Sequence, residues 1–133
     1  MTIRELASAF VKAFNDHNVE ALEKLLSADF SYKDPAAPAP TGNSTDFLKL
    51  QGAIFGAFPD VNFNVNAEVI GVDGAFLSFL TTGEGRGEFA GLDINGKKID
   101  VEEGALLQCA NGRISRLEFF SDTLKLFRQM GLA

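Results

Sequence analysis

Val61-Asn62-Phe63-Asn64-Val65-Asn66-Ala67-Glu68-Val69, followed by Gly71-Val72-Asp73-Gly74 and by Ala75 to Thr82, carries the reading of the fold. The first segment alternates apolar and polar residues, the period of an antiparallel strand with one face buried. The Gly-Val-Asp-Gly segment is a turn, so the two apolar runs form a hairpin. More strands follow. Gly83-Glu84-Gly85-Arg86-Gly87 is a wide turn, and Asn95-Gly96 is a strong turn signal. Ile99 to Cys109 reads as a strand, Asn111-Gly112 as a turn, and Ile114 to Ser121 as the last strand. Leu124, Phe127 and Met130 suggest a final helical turn or short helix.

Upstream, the period changes. Thr2 and Glu5 have the spacing of a capping box. Ile3, Leu6, Ala7, Phe10, Val11 and Phe14 then recur at helical spacing. A second short helix starts near Asn18, with Val19, Leu22, Leu25 and Leu26 as its buried stripe. Phe30 to Asp34 alternates as a strand, with Phe30, Tyr32 and Asp34 on one face. The prolines between Pro35 and Pro40 break it. A third helix begins near Ser44 or Thr45, carries Phe47, Leu48, Ile54, Phe55 and Phe58, and stops at Pro59. Three helices in the N-terminal half and a run of antiparallel strands after them predict an α+β domain, with the helices on one face of the sheet.

Composition narrows the function. The 133 residues read as one domain, 1–133, large enough to bury a core. The net charge of −6 and the lack of a Lys/Arg stripe argue against nucleic acid and against an anionic membrane surface as partners. No apolar run is long enough to span a bilayer and no signal peptide opens the chain, so a cytoplasmic location is expected. The single cysteine, Cys109, reads as a buried, inert thiol. The 13 Phe, against one Tyr and no Trp, must build the core and are numerous enough to line a cavity as well.

The candidate chemistry is acidic. If Phe120 faces a pocket, strand parity turns Glu118 and Asp122 the same way, roughly 13 Å apart along the strand. Asp122 is also well placed to cap the C-terminal turn. Glu103 shares its face with Ile99, Val101, Ala105, Leu107 and Cys109. A carboxylate on such a stripe is costly unless paired or protonated. It is therefore either a pocket acid, a buried partner of Arg86, Arg113 or Arg116, or the sign of a β-bulge near Gly104. Tyr32 and Asp34 share a face, either as a hydroxyl and an acid near one reacting oxygen, or as a core tyrosine beside an Asp-Pro turn. Phe55, Phe58 and Phe120 are the expected apolar contacts of a ligand. His17, the only histidine, lies in a helix connection and reads as solvated and non-catalytic. The glycines between Gly83 and Gly87 open no helix and make no dinucleotide site. No metal-ligand spacing is present, and neither metal nor cofactor is expected.

Several segments together resemble the SnoaL-like polyketide cyclases of the nuclear-transport-factor-2-like superfamily. They are Lys33-Asp34-Pro35, Phe58-Pro59-Asp60, Thr82-Gly83 leading to Gly87-Glu88-Phe89, Asn111-Gly112-Arg113-Ile114, Asp122, and Arg128-Gln129-Met130-Gly131-Leu132. The resemblance spans nearly the whole chain. It implies a cone-shaped, curved antiparallel sheet (the cystatin-like arrangement) wrapped by helices around a pocket, and a homodimer through the sheet. It implies that Asp122 is the acid/base that removes a proton beside a carbonyl. Relatives carry a histidine partner near the glycine-rich segment, whereas here the partner must be a carboxylate, tyrosine or arginine. Two functions are therefore expected. One is cofactor-free isomerase or aldol-cyclase chemistry on a small, largely apolar carbonyl compound, with Asp122, Asp34 and Glu103 as acids and Tyr32, Glu118, Phe120, Phe55 and Phe58 around the substrate. The other is non-catalytic binding of a small hydrophobic ligand or a partner protein.

Overall fold

A computed structural model of the chain describes residues 1–132. Thr2 and Glu5 exchange both capping hydrogen bonds, 3.1 and 2.9 Å, and start α1 at Ile3–Asn15. Asn18 caps α2, Val19–Leu25, and the chain passes directly into β1, Leu26–Lys33. The proline segment leads to the short β2, Thr41–Asn43. A second capping box, Asn43 with Asp46, opens α3 at Ser44–Ala57, and Pro59 lies just beyond its end. The sheet continues with β3 (Asn62–Ile70), β4 (Gly74–Glu84), β7 (Lys98–Ala110) and β8 (Arg113–Ser121). A two-stranded hairpin, β5 (Glu88–Phe89) and β6 (Leu92–Asp93), interrupts it, and α4 (Thr123–Gln129) closes the described chain.

The sheet has the order β2-β1-β8-β7-β4-β3, and α1, α2 and α3 belong to the core on its concave face. This is the expected α+β arrangement, with two additions. The β1–β8 pair is parallel, so the sheet is mixed. The glycine-rich stretch is not only a wide turn but runs into the β5–β6 hairpin. Among the described residues no helix is long and apolar enough to cross a membrane.

The register shifts in three places, within β1 between Leu26 and Ser31 and at single extra residues in β3 and β8, and the latter two reset which side chains face inward. Asn66 is extra in β3, between the pairs Val65–Phe79 and Ala67–Ser78. The alternation read from Val61 to Val69 therefore breaks. Val61 and Phe63 are buried, Val69 is 64% exposed, and Glu68 faces Arg4 of α1 at 3.8 Å. Ser115 is extra in β8, between the pairs Cys109–Ile114 and Gln108–Arg116. Ile114 and Leu117 are both fully buried, three residues apart, and the inward parity continues through Phe119 to Ser121. Arg116, Glu118 and Phe120 are turned to the convex face. The expectation that Glu118, Phe120 and Asp122 line a pocket is corrected by this one inserted residue, because a single slip in register exchanges the two faces.

His17 also differs from expectation. It sits at φ 53°, stacks on Phe55 with ring centroids 4.5 Å apart, and its Nε2 lies 2.7 Å from the Val61 carbonyl. It is a half-buried strut between the α1–α2 turn and the start of β3. Cys109 is partly buried, and burial pushes its thiol above its usual value.

Candidate functional site

Between the concave face of the sheet and the helices lies a cavity of about 100 Å³. Five Phe rings line it: Phe14 from α1, Phe58 after α3, Phe63 from β3, Phe89 from β5 and Phe119 from β8. Phe14 and Phe63 stack with centroids 3.6 Å apart, and Phe63 continues onto Phe79 at 4.1 Å, so this wall is also the core. The polar lining is short: Asp34, Gln51, Thr81 and Glu103. No Lys, Arg or His lines the cavity.

Glu103 comes from β7. Its register with β4 runs unbroken through Phe79–Glu103, Ser78–Gly104 and Leu77–Ala105, so there is no bulge at Gly104. The arginines are occupied elsewhere. Arg86 pairs with Glu84 at 2.8 Å, Arg113 donates to the Lys24 carbonyl at 2.8 Å, and Arg116 faces Glu118 at 3.6 Å. Glu103 is thus a cavity acid with no cationic partner among the described residues. The Thr81 hydroxyl donates to its Oε1 at 2.6 Å. Ser121 lies opposite it in the β7–β8 register, with a buried hydroxyl that has no hydrogen-bond partner among the described residues. Burial raises the Glu103 carboxyl above its ordinary value. Thr81 and Ser121 oppose that rise, and the negative charge of Asp34 adds to it.

Asp34 comes from the end of β1 and does two things at once. Its Oδ1 accepts from the Ala36 amide at 3.0 Å and its carbonyl accepts from Ala37 at 3.1 Å, so it opens the proline turn. The same carboxyl lines the cavity. Burial raises it, against the lowering effect of the Ala36 amide. Two acids, each resistant to ionisation and electrostatically linked to one another, therefore share one apolar chamber.

The other candidates lie elsewhere. Asp122 is exposed and caps α4, with Oδ1 accepting from the Lys125 amide at 3.2 Å. It is absent from the cavity lining. Glu118 and Phe120 are on the convex face, where Phe120 is 44% exposed and packs 6.1 Å from Phe76. Tyr32 is buried, but its hydroxyl donates to the Ala39 carbonyl at 2.8 Å and ties down the proline segment instead of reaching the acids. Phe55 packs between Phe14 and His17, behind the cavity wall, whereas Phe58 lines it. Outside the chamber, Tyr32 borders a surface groove of about 610 Å³. Pro38, Leu50 and Phe89 are common to the groove and the cavity and stand between them.

Sequence reasoning missed Gln51, Thr81 and Phe119. Gln51 had a readable signal, since it occupies the apolar stripe Phe47, Gln51, Ile54, Phe58 of α3. Thr81 had only inward parity, and Phe119 had none before the Ser115 bulge was known.

Comparison with known proteins bears on the fold and the family. No protein of curated function matches the sequence. Among solved structures, AclR from Streptomyces galilaeus superposes with a TM-score of 0.85 at 21% identity, covering 99% of this chain and 84% of that one. TsrD from Streptomyces laurentii gives 0.84 at 19% identity, covering 98% and 96%. A protein with a ketosteroid isomerase-like fold from Catenulispora acidiphila, in complex with trimethylamine, gives 0.81 at 20% identity, covering 99% and 96%. These likenesses establish the fold. The sequence profile of the SnoaL-like polyketide cyclases matches residues 4–130, and the chain belongs to that family.

Proposed function

We infer that the protein catalyses cofactor-free proton transfer on a small, largely apolar carbonyl compound held in the Phe-lined cavity. The observation that carries this reading is the placement of Asp34 and Glu103, without a cation, in one apolar chamber. Burial raises both carboxyls, and the charge of Asp34 raises Glu103 further, which favours a protonated member in the pair. One member, ionised, takes the proton from the carbon next to the carbonyl. The C–H electron pair becomes the new C=C bond and the carbonyl π pair moves onto oxygen. The other member, still protonated, hydrogen-bonds that oxygen. Return of the proton to a different carbon gives isomerisation, and attack of the enolate carbon on a second carbonyl of the same molecule gives ring closure. A raised carboxyl is the stronger base, so burial serves the chemistry.

The test is hydrogen–deuterium exchange at the α-carbons of small cyclic ketones in D₂O, followed by NMR. Asp34→Asn and Glu103→Gln should each lower the exchange rate by 10²-fold or more, an effect on the order of that for a lost general base. Asp122→Asn should leave it unchanged. Exchange that persists in both cavity variants rejects the role of the pair.

The non-catalytic reading has its own supporting observation. Two acids among Phe rings also suit a small organic cation, and a structural neighbour of the same fold is held in complex with trimethylamine. Saturable binding of trimethylamine with no exchange of any ketone favours that reading. Either function is proposed to operate in a homodimer through the convex face, where Val69, Phe76 and Phe120 are 64%, 38% and 44% exposed.

A further inference from the structure

Gln51 stands out on the helix wall of the cavity. It lies in the second half of α3, and only 4% of its surface is exposed. Its carboxamide is joined by no hydrogen bond to another described residue, and it lines the chamber beside the acids. The residue is buried as a whole, yet its amide is not a sealed, unpartnered group and keeps accessible surface, on a stripe where a Leu or Met would pack better. Its neighbours on the stripe are all apolar: Phe47, Ile54 and Phe58. Helix packing therefore does not explain an amide here. A partner that enters the cavity does.

The chemistry of the remaining polar lining says what that partner is. Asp34 and Glu103 supply a base and an acid, and the Thr81 hydroxyl is engaged with Glu103. With no Lys, Arg or His in the lining, an anionic ligand meets two acids and no counter-charge. The Gln51 Nε2 is thus the one neutral N–H donor side chain of the chamber. A cavity of about 100 Å³ is of the order of one that accepts a single small ring. We propose that Gln51 is the residue that recognises the ligand, donating from Nε2 to the carbonyl oxygen of a small, neutral cyclic ketone whose ring lies against the Phe wall. This rests on the proton-transfer reading for its substrate class. It adds the electrophilic donor that histidine-free chemistry needs: as the C–H proton leaves, the growing charge on oxygen is met by an N–H already in place.

The probes are cyclopentanone and methylenecyclopentane, which share ring size but differ in the accepting oxygen. Binding is measured by NMR titration of wild type and of Gln51→Met, which keeps side-chain length and removes the N–H. The expected result is a loss of about tenfold in cyclopentanone affinity in the variant, with methylenecyclopentane affinity unchanged or tighter. Cyclopentane carboxylate should not bind wild type at neutral pH. Equal losses for both compounds, no loss for either, or no binding of cyclopentanone to wild type at millimolar concentration overturns the proposal. If the variant does not fold, carbonyl-labelled ¹³C cyclopentanone bound to wild type decides. A carbonyl resonance moved downfield of its position in alkane solvent supports the donor, and an unmoved one rejects it. The two readings fail separately. Gln51-dependent binding without α-proton exchange removes the catalysis and keeps the recognition. Exchange with Gln51-independent affinity does the reverse.

Discussion

Glu103 is the residue on which the proposed chemistry and the stability of this protein meet. Its ordinary value is 4.5, and burial holds the folded carboxyl above it. Below that ordinary value both folded and unfolded chains keep the proton, and no penalty exists. As pH rises through it, the unfolded chain ionises freely while the folded one resists, so stability is lost until pH passes the folded value. Glu103→Gln removes this titration and can still accept from Thr81. The variant should melt above wild type at pH 7, with the gain shrinking toward pH 4 in thermal scans. A difference independent of pH argues against a buried, raised acid. Asp122 makes the opposite case. As the α4 cap it should cost about 1 kcal/mol when changed to Ala, measured by denaturant unfolding, with no change in ketone affinity. Glu103 was visible in the sequence as a charge on an apolar stripe. The same signal at Gln51 was present but quieter, because an amide offends an apolar stripe less than a carboxylate does.

At the scale of elements, the informative feature is the extra residue in β8. Ser115 lets Ile114 and Leu117 both face inward and delivers Phe119 to the cavity and Ser121 to Glu103. Deleting Ser115 would make the pairs Cys109–Ile114, Gln108–Arg116 and Leu107–Leu117 consecutive in a regular ladder, with Ile114, Leu117 and Phe119 still facing inward and only the local bend lost. The expected outcome is a modest change, under about 3 kcal/mol, read as the denaturation midpoint, and a larger loss argues against this register. A Ser115→Ala variant, which keeps the residue count, should be nearly neutral. Most elements were legible: the capping boxes, the proline breaks and the Asn-Gly turns act locally, within a few residues of the signal. The β5–β6 hairpin was not, since each of its strands has two residues and no measurable period. Its turn places Ala90 at φ 52° before Gly91 at φ 82°, a left-handed pair without the usual Asn or Asp to announce it.

For the whole molecule, the proposed chemistry belongs to the concave face and the proposed association to the convex face. Phe76 and Phe120 pack there as tilted rings beside Gly104, where a Cβ would lie 2.7 Å from the Phe76 ring. If the proposed dimer forms through this face, Phe120→Lys should weaken it at least tenfold in sedimentation velocity while leaving the monomer folded, because Phe120 is already 44% exposed. An unchanged sedimentation profile removes Phe120 from the interface. The sequence by itself determined the α+β class, the order of helices and strands, the family, and the presence of anomalous acids. Those follow from periodicity, caps and turn residues, which are properties of neighbours along the chain. Only the tertiary structure decided which acids meet. Whether Asp122 reaches the cavity depends on one inserted residue in β8, and whether Asp34 meets Glu103 there depends on how β1 pairs in parallel with that same strand. Register is a relation between strands distant in sequence, and with a side-chain period of two, a single residue of register exchanges the inside for the outside.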